Sequence, residues 1–158
     1  MAALKAEYDI DKRIFGSGHF GKVYKATNKA DPSITVAIKV IDKRNLKSDD
    51  LQMIMTEIGI LQELDHPNIV SYMETFEEPR FIYIVMESCT GGELFDSREI
   101  ILKNGKFFTE RQTCQIIQKA LSALNHCHKL NIIHRDIKPE NLMFGKEGEI
   151  RIVDFGLA

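Results

Sequence analysis

Tryptophan is absent from the 158 residues, proline occurs four times and cysteine three times, and the formal net charge is only −2. So small a charge gives no bulk attraction to nucleic acid or to an anionic membrane surface. Cys89, Cys114 and Cys127 are odd in number and form no Cys-x-x-Cys pair, which argues against a disulfide framework or a zinc site. No window approaches the ~18–20 consecutive apolar residues that span a bilayer, and the N-terminus lacks a signal-peptide core. The start Met1-Ala2-Ala3 cannot be myristoylated, which requires glycine second. Internal repeats and low-complexity tracts are also missing. These absences predict a cytoplasmic chain with no membrane span and no nucleic-acid partner. Against them stand 44% hydrophobic and 28% charged residues, a globular content that excludes wholesale disorder. The length fits one domain of ~100–200 residues, or the front of a larger one.

Alternation and turn residues make the first ~40 residues read as strands. In Val36-Ala37-Ile38-Lys39-Val40-Ile41, the period of two puts Val36, Ile38 and Val40 on one face and Ala37, Lys39 and Ile41 on the other. Ser48, followed by Asp49 and Asp50, predicts a helix start; Leu51, Ile54, Ile58 and Leu61 form its apolar stripe, and Pro67 ends it by residues 65–68. Strands are expected around 69–76 and 81–87. Gly91-Gly92 marks a boundary between a strand-rich and a helix-rich part. Thr109-Glu110-Arg111-Gln112 has the capping-box pattern and opens a helix to about Lys129, with Ile117, Ala120, Leu121, Leu124 and Cys127 facing a core. Short strands are expected at 131–133, 142–144 and 149–153.

Gly16-Ser17-Gly18-His19-Phe20-Gly21-Lys22-Val23 lies between two strand-like runs. Such glycines let backbone N–H groups approach phosphate oxygens, although a plain structural hairpin has the same pattern. A dinucleotide-binding turn is disfavoured, because Val23 opens a strand and not a helix. Lys39 lies on the strand face of the small Ala37, which leaves room for a flat ring beside an ammonium; a solvated edge lysine is the alternative. Glu57 bears on that choice. At ~100° per residue it lies about 40° from Leu61 and about 60° from Ile54, bordering the buried stripe, so its carboxylate needs a partner such as Lys39. In His134-Arg135-Asp136-Ile137-Lys138-Pro139-Glu140-Asn141, Asp136 offers a carboxylate for a hydroxyl proton and Lys138 a cation for a transferring phosphate. Asn141 and Asp154, 13 residues apart, supply the oxygen ligands magnesium prefers. His126-Cys127-His128 does not read as a metal site, because consecutive helical side chains splay by ~100° each.

Together these segments resemble a protein kinase, from about Tyr8 to Ala158. Lys138 with Pro139-Glu140-Asn141 is similar to Ser/Thr-specific members. Thr90 to Asp96, His66 to Val70 and His134 to Asn141 resemble the calcium/calmodulin-regulated group and, within it, the calcium-dependent protein kinases of protists and plants. The resemblance implies an α+β fold. An antiparallel-sheet small lobe with one main helix would occupy 1–89, and the first, mostly helical part of the large lobe 90–158. It implies that ATP and Mg²⁺ bind between the lobes and that the γ-phosphoryl group passes to Ser/Thr hydroxyls of protein substrates. A non-catalytic nucleotide-binding scaffold is the alternative function, and a calcium-sensing regulatory domain would lie outside this chain.

Residue by residue, it implies that Gly16, Gly18 and Gly21 cover the ATP phosphates, with Phe15, Ser17, His19, Phe20, Lys22 and Val23 of the same hairpin also at the nucleotide. Lys39 would bind the α- and β-phosphates and pair with Glu57; Val23, Ala37 and Met143 would sandwich the adenine. Met86 would be the gatekeeper ahead of hinge residues Glu87 to Cys89, with Glu93 near the ribose and Glu140 beside the nucleotide. Asp136 would orient the substrate hydroxyl and take its proton, Lys138 would neutralise the γ-phosphoryl group, and Asn141 and Asp154 would hold magnesium. Leu61, Tyr72, His134 and Phe155 would form a packed column. Three departures stand out. Phe15 replaces the usual aliphatic residue, and the stretch 96–107 is about four residues longer than usual. The sequence also stops four residues after Asp154, which implies that this polypeptide by itself is inactive.

Overall fold

A computed structural model describes residues 2–18, 20–94 and 108–158. His19 and the longer stretch 96–107 lie outside the described residues. The chain divides into two compact units: residues 1–63 with 71–88, and residues 64–70 with 89–158. The sequence division at 89/90 therefore differs in two places: the first unit ends at Ser88, and 64–70 folds with the second unit.

The first unit is a five-stranded antiparallel sheet in the order β1-β2-β3-β5-β4 with one long helix. Its strands are β1 (Tyr8–Ser17), β2 (Lys22–Asn28), β3 (Thr35–Asp42), β4 (Tyr72–Glu77) and β5 (Phe81–Glu87). β3 is buried on both faces, as its apolar run requires. Val36 and Ile38 pack with Ala26, Tyr83 and Val85 on one face. The other face carries Ala37, Lys39 and Ile41, all buried. Residues 2–7, expected as part of a strand, instead form a short helix, α1 (Ala2–Glu7). Six residues are too few to show a helical period, and the helix is held by tertiary burial: Leu4 is 0% exposed in the first face's cluster, contributing about 1.5–3 kcal/mol. Tyr8 then ties one sheet edge to the other. Its hydroxyl donates to Glu74 Oε1 at 2.6 Å and its ring meets Phe76 edge-to-face. Burial first, and then Glu74, push the Tyr8 hydroxyl up to about 12.

The long helix α2 (Ser48–Glu63) buries Ile54, Glu57, Ile58 and Leu61. Ser48 does not cap it. It is already the first helical residue, the Lys47 carbonyl accepts the Leu51 N–H, and the Asp50 carboxylate reaches back to the Lys47 N–H at 2.8 Å. β4 begins at Tyr72, not residue 69, because Ile69 is drawn away to bridge Ile152 in the second unit.

The second unit contains α3 (Glu110–Lys129) and the hairpin of β6 (Leu142–Phe144) and β7 (Ile150–Ile152). Thr109 caps α3 with the expected box: its hydroxyl accepts the Gln112 N–H, and Gln112 Oε1 accepts the Thr109 N–H. The buried stripe is Ala120, Ala123 and Cys127, facing β7. Ile117 and Leu121, expected in the core, are 50% and 59% exposed. Small residues form the stripe because the helix lies close against the hairpin. No strand forms at 131–133; the chain leaves α3 through a turn in which Asn131 takes a positive φ of 60° and Ile132 N–H bonds back to the Cys127 carbonyl. The segment 68–70 completes the unit. Val70 N–H donates to the Ile152 carbonyl, Ile152 N–H to the Asn68 carbonyl, and Asn68 Nδ2 to the Ile150 carbonyl at 2.9 Å. Among the described residues, no helix is long and apolar enough to cross a membrane.

Candidate active site

In the first unit, the sheet register gathers the expected nucleotide residues on one face. Gly16 pairs with Val23, Val23 with Lys39, and Lys39 with Ile84, while Ala37 pairs with Met86. Directly opposite residues share a face, and so do residues two apart, so Val23, Ala37, Lys39 and Met86 line up together. Lys39 is not a solvated edge residue. Lys39 and Glu57 are each 3% exposed, and Nζ donates to Oε1 at 2.6 Å. Two charges so far from water persist only when paired.

β1 bulges between Ile14 and Gly16, and the inserted Phe15 is left 42% exposed. A bulge re-aims the side chain it inserts, which accommodates the aromatic ring at this departure from the family pattern. The glycine turn closes with Gly18 N–H donating to the Gly21 carbonyl at 3.0 Å. Gly21 has no room for a side chain, since a Cβ there would collide with the Val40 carbonyl oxygen. Backbone cannot yield as a flexible side chain would, so Gly21→Ala is expected to cost about 1–3 kcal/mol. Urea unfolding midpoints of the two proteins check this, and equal midpoints would contradict it. Ser17 and Lys22 are exposed, and Phe20 is half-buried. At the end of β5, Glu87 is committed to Ser71: its N–H donates to the Ser71 carbonyl and its carboxylate accepts the Ser71 N–H.

In the second unit, Cys89 is buried and Glu93 bridges directly to Met143, so the expected ribose and adenine residues are neighbours. Asp136 is the centre of the polar set. Its Oδ2 accepts from Lys138 Nζ at 2.9 Å and from Asn141 Nδ2 at 2.9 Å; Asn141 Nδ2 also donates to the Asp136 carbonyl. Oδ1 has no partner among the described residues. The Lys138 hydrogen bond, ahead of that from Asn141, holds the Asp136 carboxyl below the usual carboxylate range, and Asp136 in turn raises Lys138. Pro139 starts the short 3-10 turn Pro139–Asn141 that brings Asn141 back to Asp136, and Glu140 on this turn points to solvent. Arg135 and Asp154 both adopt positive φ, 62° and 60°. Non-glycine residues take this conformation at a cost, and such strain concentrates at functional sites.

His134 is 1% exposed. Its Nδ1 accepts the Asp136 N–H, its Nε2 faces the Val153 carbonyl at 3.1 Å, and its ring packs edge-on against Phe155. The ring is therefore neutral, protonated on Nε2, and serves to hold the Asp136 backbone. His66, which sequence reasoning left unassigned, repeats the device: Nδ1 accepts the Asn68 N–H and Nε2 meets Ser122 Oγ at 3.0 Å. The signal was a His two residues before Asn, the same spacing as His134 to Asp136. Burial lowers the affinity of both rings for a proton, aided at His66 by His126 and Arg151. The unfolded chain then binds more protons, so stability is full above the ordinary imidazole value of about 6.5 and falls as pH drops below it. Thermal melts should show a lower Tm at pH 5.5 than at 7.5, with His66→Gln reducing the difference; a Tm independent of pH would contradict this.

Asp136 presented beside a lysine and an asparagine, and a buried Lys–Glu pair on a glycine-closed sheet, define a kinase-type catalytic domain. The model of the protein kinase domain matches residues 9–158, and the chain belongs to that family. It is 42% identical over 98% of its length to calcium-dependent protein kinase 5 of Plasmodium berghei (strain Anka), and 45% identical over 98% to calcium-dependent protein kinase 3 of Plasmodium yoelii yoelii. It is 42% identical over 100% of its length to calcium/calmodulin-dependent protein kinase type 1 of Macrobrachium nipponense. The chain spans 27%, 28% and 45% of the lengths of these relatives.

Proposed function

We propose that the protein transfers the γ-phosphoryl group of ATP to Ser/Thr hydroxyls of proteins. One observation carries this reading: Asp136 keeps Oδ1 open while Lys138 and Asn141 hold Oδ2. A carboxylate fixed through one oxygen can receive a hydroxyl hydrogen bond at the other and aim the hydroxyl oxygen. Asp136 is a weak base because Lys138 lowers its proton affinity. That suits a loose transition state, in which positioning matters more than early proton removal. As the new phosphoester bond forms and the β–γ bridge breaks, the hydroxyl proton passes to Asp136 Oδ1.

The residues present fit nucleotide and metal. Gly16, Gly18 and Gly21 put no side chain between the turn's backbone N–H groups and a phosphate. Both side-chain hydrogen bonds of Asn141 are made through its amide nitrogen, which leaves Oδ1 as the ligand atom. Asn141 and Asp154 would hold magnesium, which when bound offsets the charge of the phosphate oxygens. Lys39, steadied by Glu57, would bind the α- and β-phosphates, and Lys138 would meet the γ-phosphoryl group. The hairpin from Phe15 to Val23, with Ala37, Met86, Glu87, Cys89, Glu93, Glu140 and Met143, would surround the remainder of the nucleotide. Free thiols at Cys89, Cys114 and Cys127 suit a reducing compartment, and we assign the protein to the cytoplasm. The names of the relatives support a calcium-sensing domain outside residues 1–158.

The test is calorimetry with Mg-ATP together with radiolabelled-phosphate transfer to a Ser/Thr peptide, in a polypeptide of the relatives' full length. Magnesium-dependent ATP binding and peptide labelling are expected. Binding without labelling would instead establish the scaffold reading.

A further inference from the structure

Outside these residues, the second unit has a cleft of about 690 Å³, walled by α3 at Lys119 and by the β6–β7 loop at Lys146 and Glu147. Its volume lies within the roughly 300–1,000 Å³ of small-molecule pockets, but it lacks their aromatic and aliphatic lining. Pro67 is its one apolar side chain besides the stems of the charged residues.

Its floor is fixed. Arg151 Nη1 donates to the Pro67 carbonyl and Nη2 pairs with Glu149 Oε1 at 3.2 Å. Glu149 Oε2 accepts the Glu147 N–H at 3.0 Å, and the Glu149 carboxylate occupies the space a Gly145 side chain would fill. Gly148 turns the loop at φ 80°. Arg151 and Glu149 thus neutralise each other. Lys119 and Lys146 on the two walls are exposed and have no ion-pair partner among the described residues, and neither has Glu147. The mobile charge around the cleft is therefore two ammonium groups against one carboxylate.

We propose that this cleft docks an acidic, extended segment of a partner protein, with carboxylates reaching Lys119 and Lys146 from either side. The chain as a whole has a net charge of −2 and repels such a segment, so any attraction must be local to these lysines. Because the loop and Arg151 are already held, binding orders little on this side of the interface beyond two lysine side chains, and the ordering of the incoming segment is the main entropic cost. Glu147 opposes the incoming carboxylates and limits affinity.

The experiment measures fluorescence anisotropy of a labelled hexaglutamate peptide with a polypeptide of the relatives' full length at low salt. Saturable binding is expected. The double variant Lys119→Glu/Lys146→Glu should weaken it by about tenfold, the effect of reversing two exposed ion pairs of roughly 0.7 kcal/mol each. Glu147→Gln should strengthen it, a gain that partial unfolding cannot produce. Lys12→Glu/Lys25→Glu, which puts the same charge change on the first unit, should leave it unaltered. Absence of saturable binding, equal weakening by the Lys12/Lys25 pair, or equal displacement by an oligothymidylate of the same charge would each overturn the proposal.

Discussion

Lys39→Met is expected to lower phosphoryl transfer by on the order of 10²–10³-fold, the loss seen when one preorganised charge-stabilising donor is removed. The measurement is radiolabelled-phosphate transfer in a polypeptide of the relatives' full length. Methionine preserves much of the volume, so the effect reports charge. It also strands Glu57, 3% exposed and bonded to Lys39 at 2.6 Å. Removing one member of a buried pair costs about 3–5 kcal/mol, because the remaining carboxylate must ionise without a partner or take up a proton. Lys39→Met/Glu57→Gln should recover much of that stability and none of the activity. Unchanged turnover in the single variant would remove Lys39 from the chemistry, and unchanged stability would contradict the burial argument.

Asp136→Asn separates chemistry from nucleotide binding. Losing the general base is expected to cost about 10²–10⁴-fold in turnover. Mg-ATP affinity should change little, because the metal is assigned to Asn141 and Asp154. The amide would still occupy the same space between Lys138 and Asn141, with its neutral oxygen accepting both Oδ2 bonds more weakly than the carboxylate does. Calorimetry on the variant is the discriminating measurement. If affinity fell in parallel with turnover, Asp136 would have to act on the nucleotide or metal.

Much of the polar site was legible because its residues cluster in short motifs whose chemistry depends on residue type and spacing. The helix border at Glu57 even indicated the partner of Lys39, since an angle around a helix is a local quantity. Hydrogen-bond detail was not legible. Nothing in the order His134-Arg135-Asp136 says that Oδ2 is occupied and Oδ1 open, or that the His134 ring supports the Asp136 backbone. In the fold, β3, β5, α2 and α3 were readable from periodicity, and the α3 cap from four residues. The failures share a cause. α1 exists because Leu4 fills a tertiary slot, and the α3 stripe runs through Ala123 because of what lies across from it. Ile69 leaves β4 for a partner 83 residues away. Local patterns carry no information about such distant neighbours.

The excursion of residues 64–70 also has a consequence for biosynthesis. Asn68 leaves the ribosome 82 residues before Ile150, the residue its side chain must bond. At roughly 5–20 residues per second, that is a wait of about 4–16 s. Throughout it, the apolar Ile69 and Val70 have no mate, while β4 and β5 immediately behind them are free to join the sheet of the first unit. The nascent chain thus holds an unpaired heptapeptide between two segments that can already fold, and 64–70 is among the last stretches of the first 88 residues to find its place.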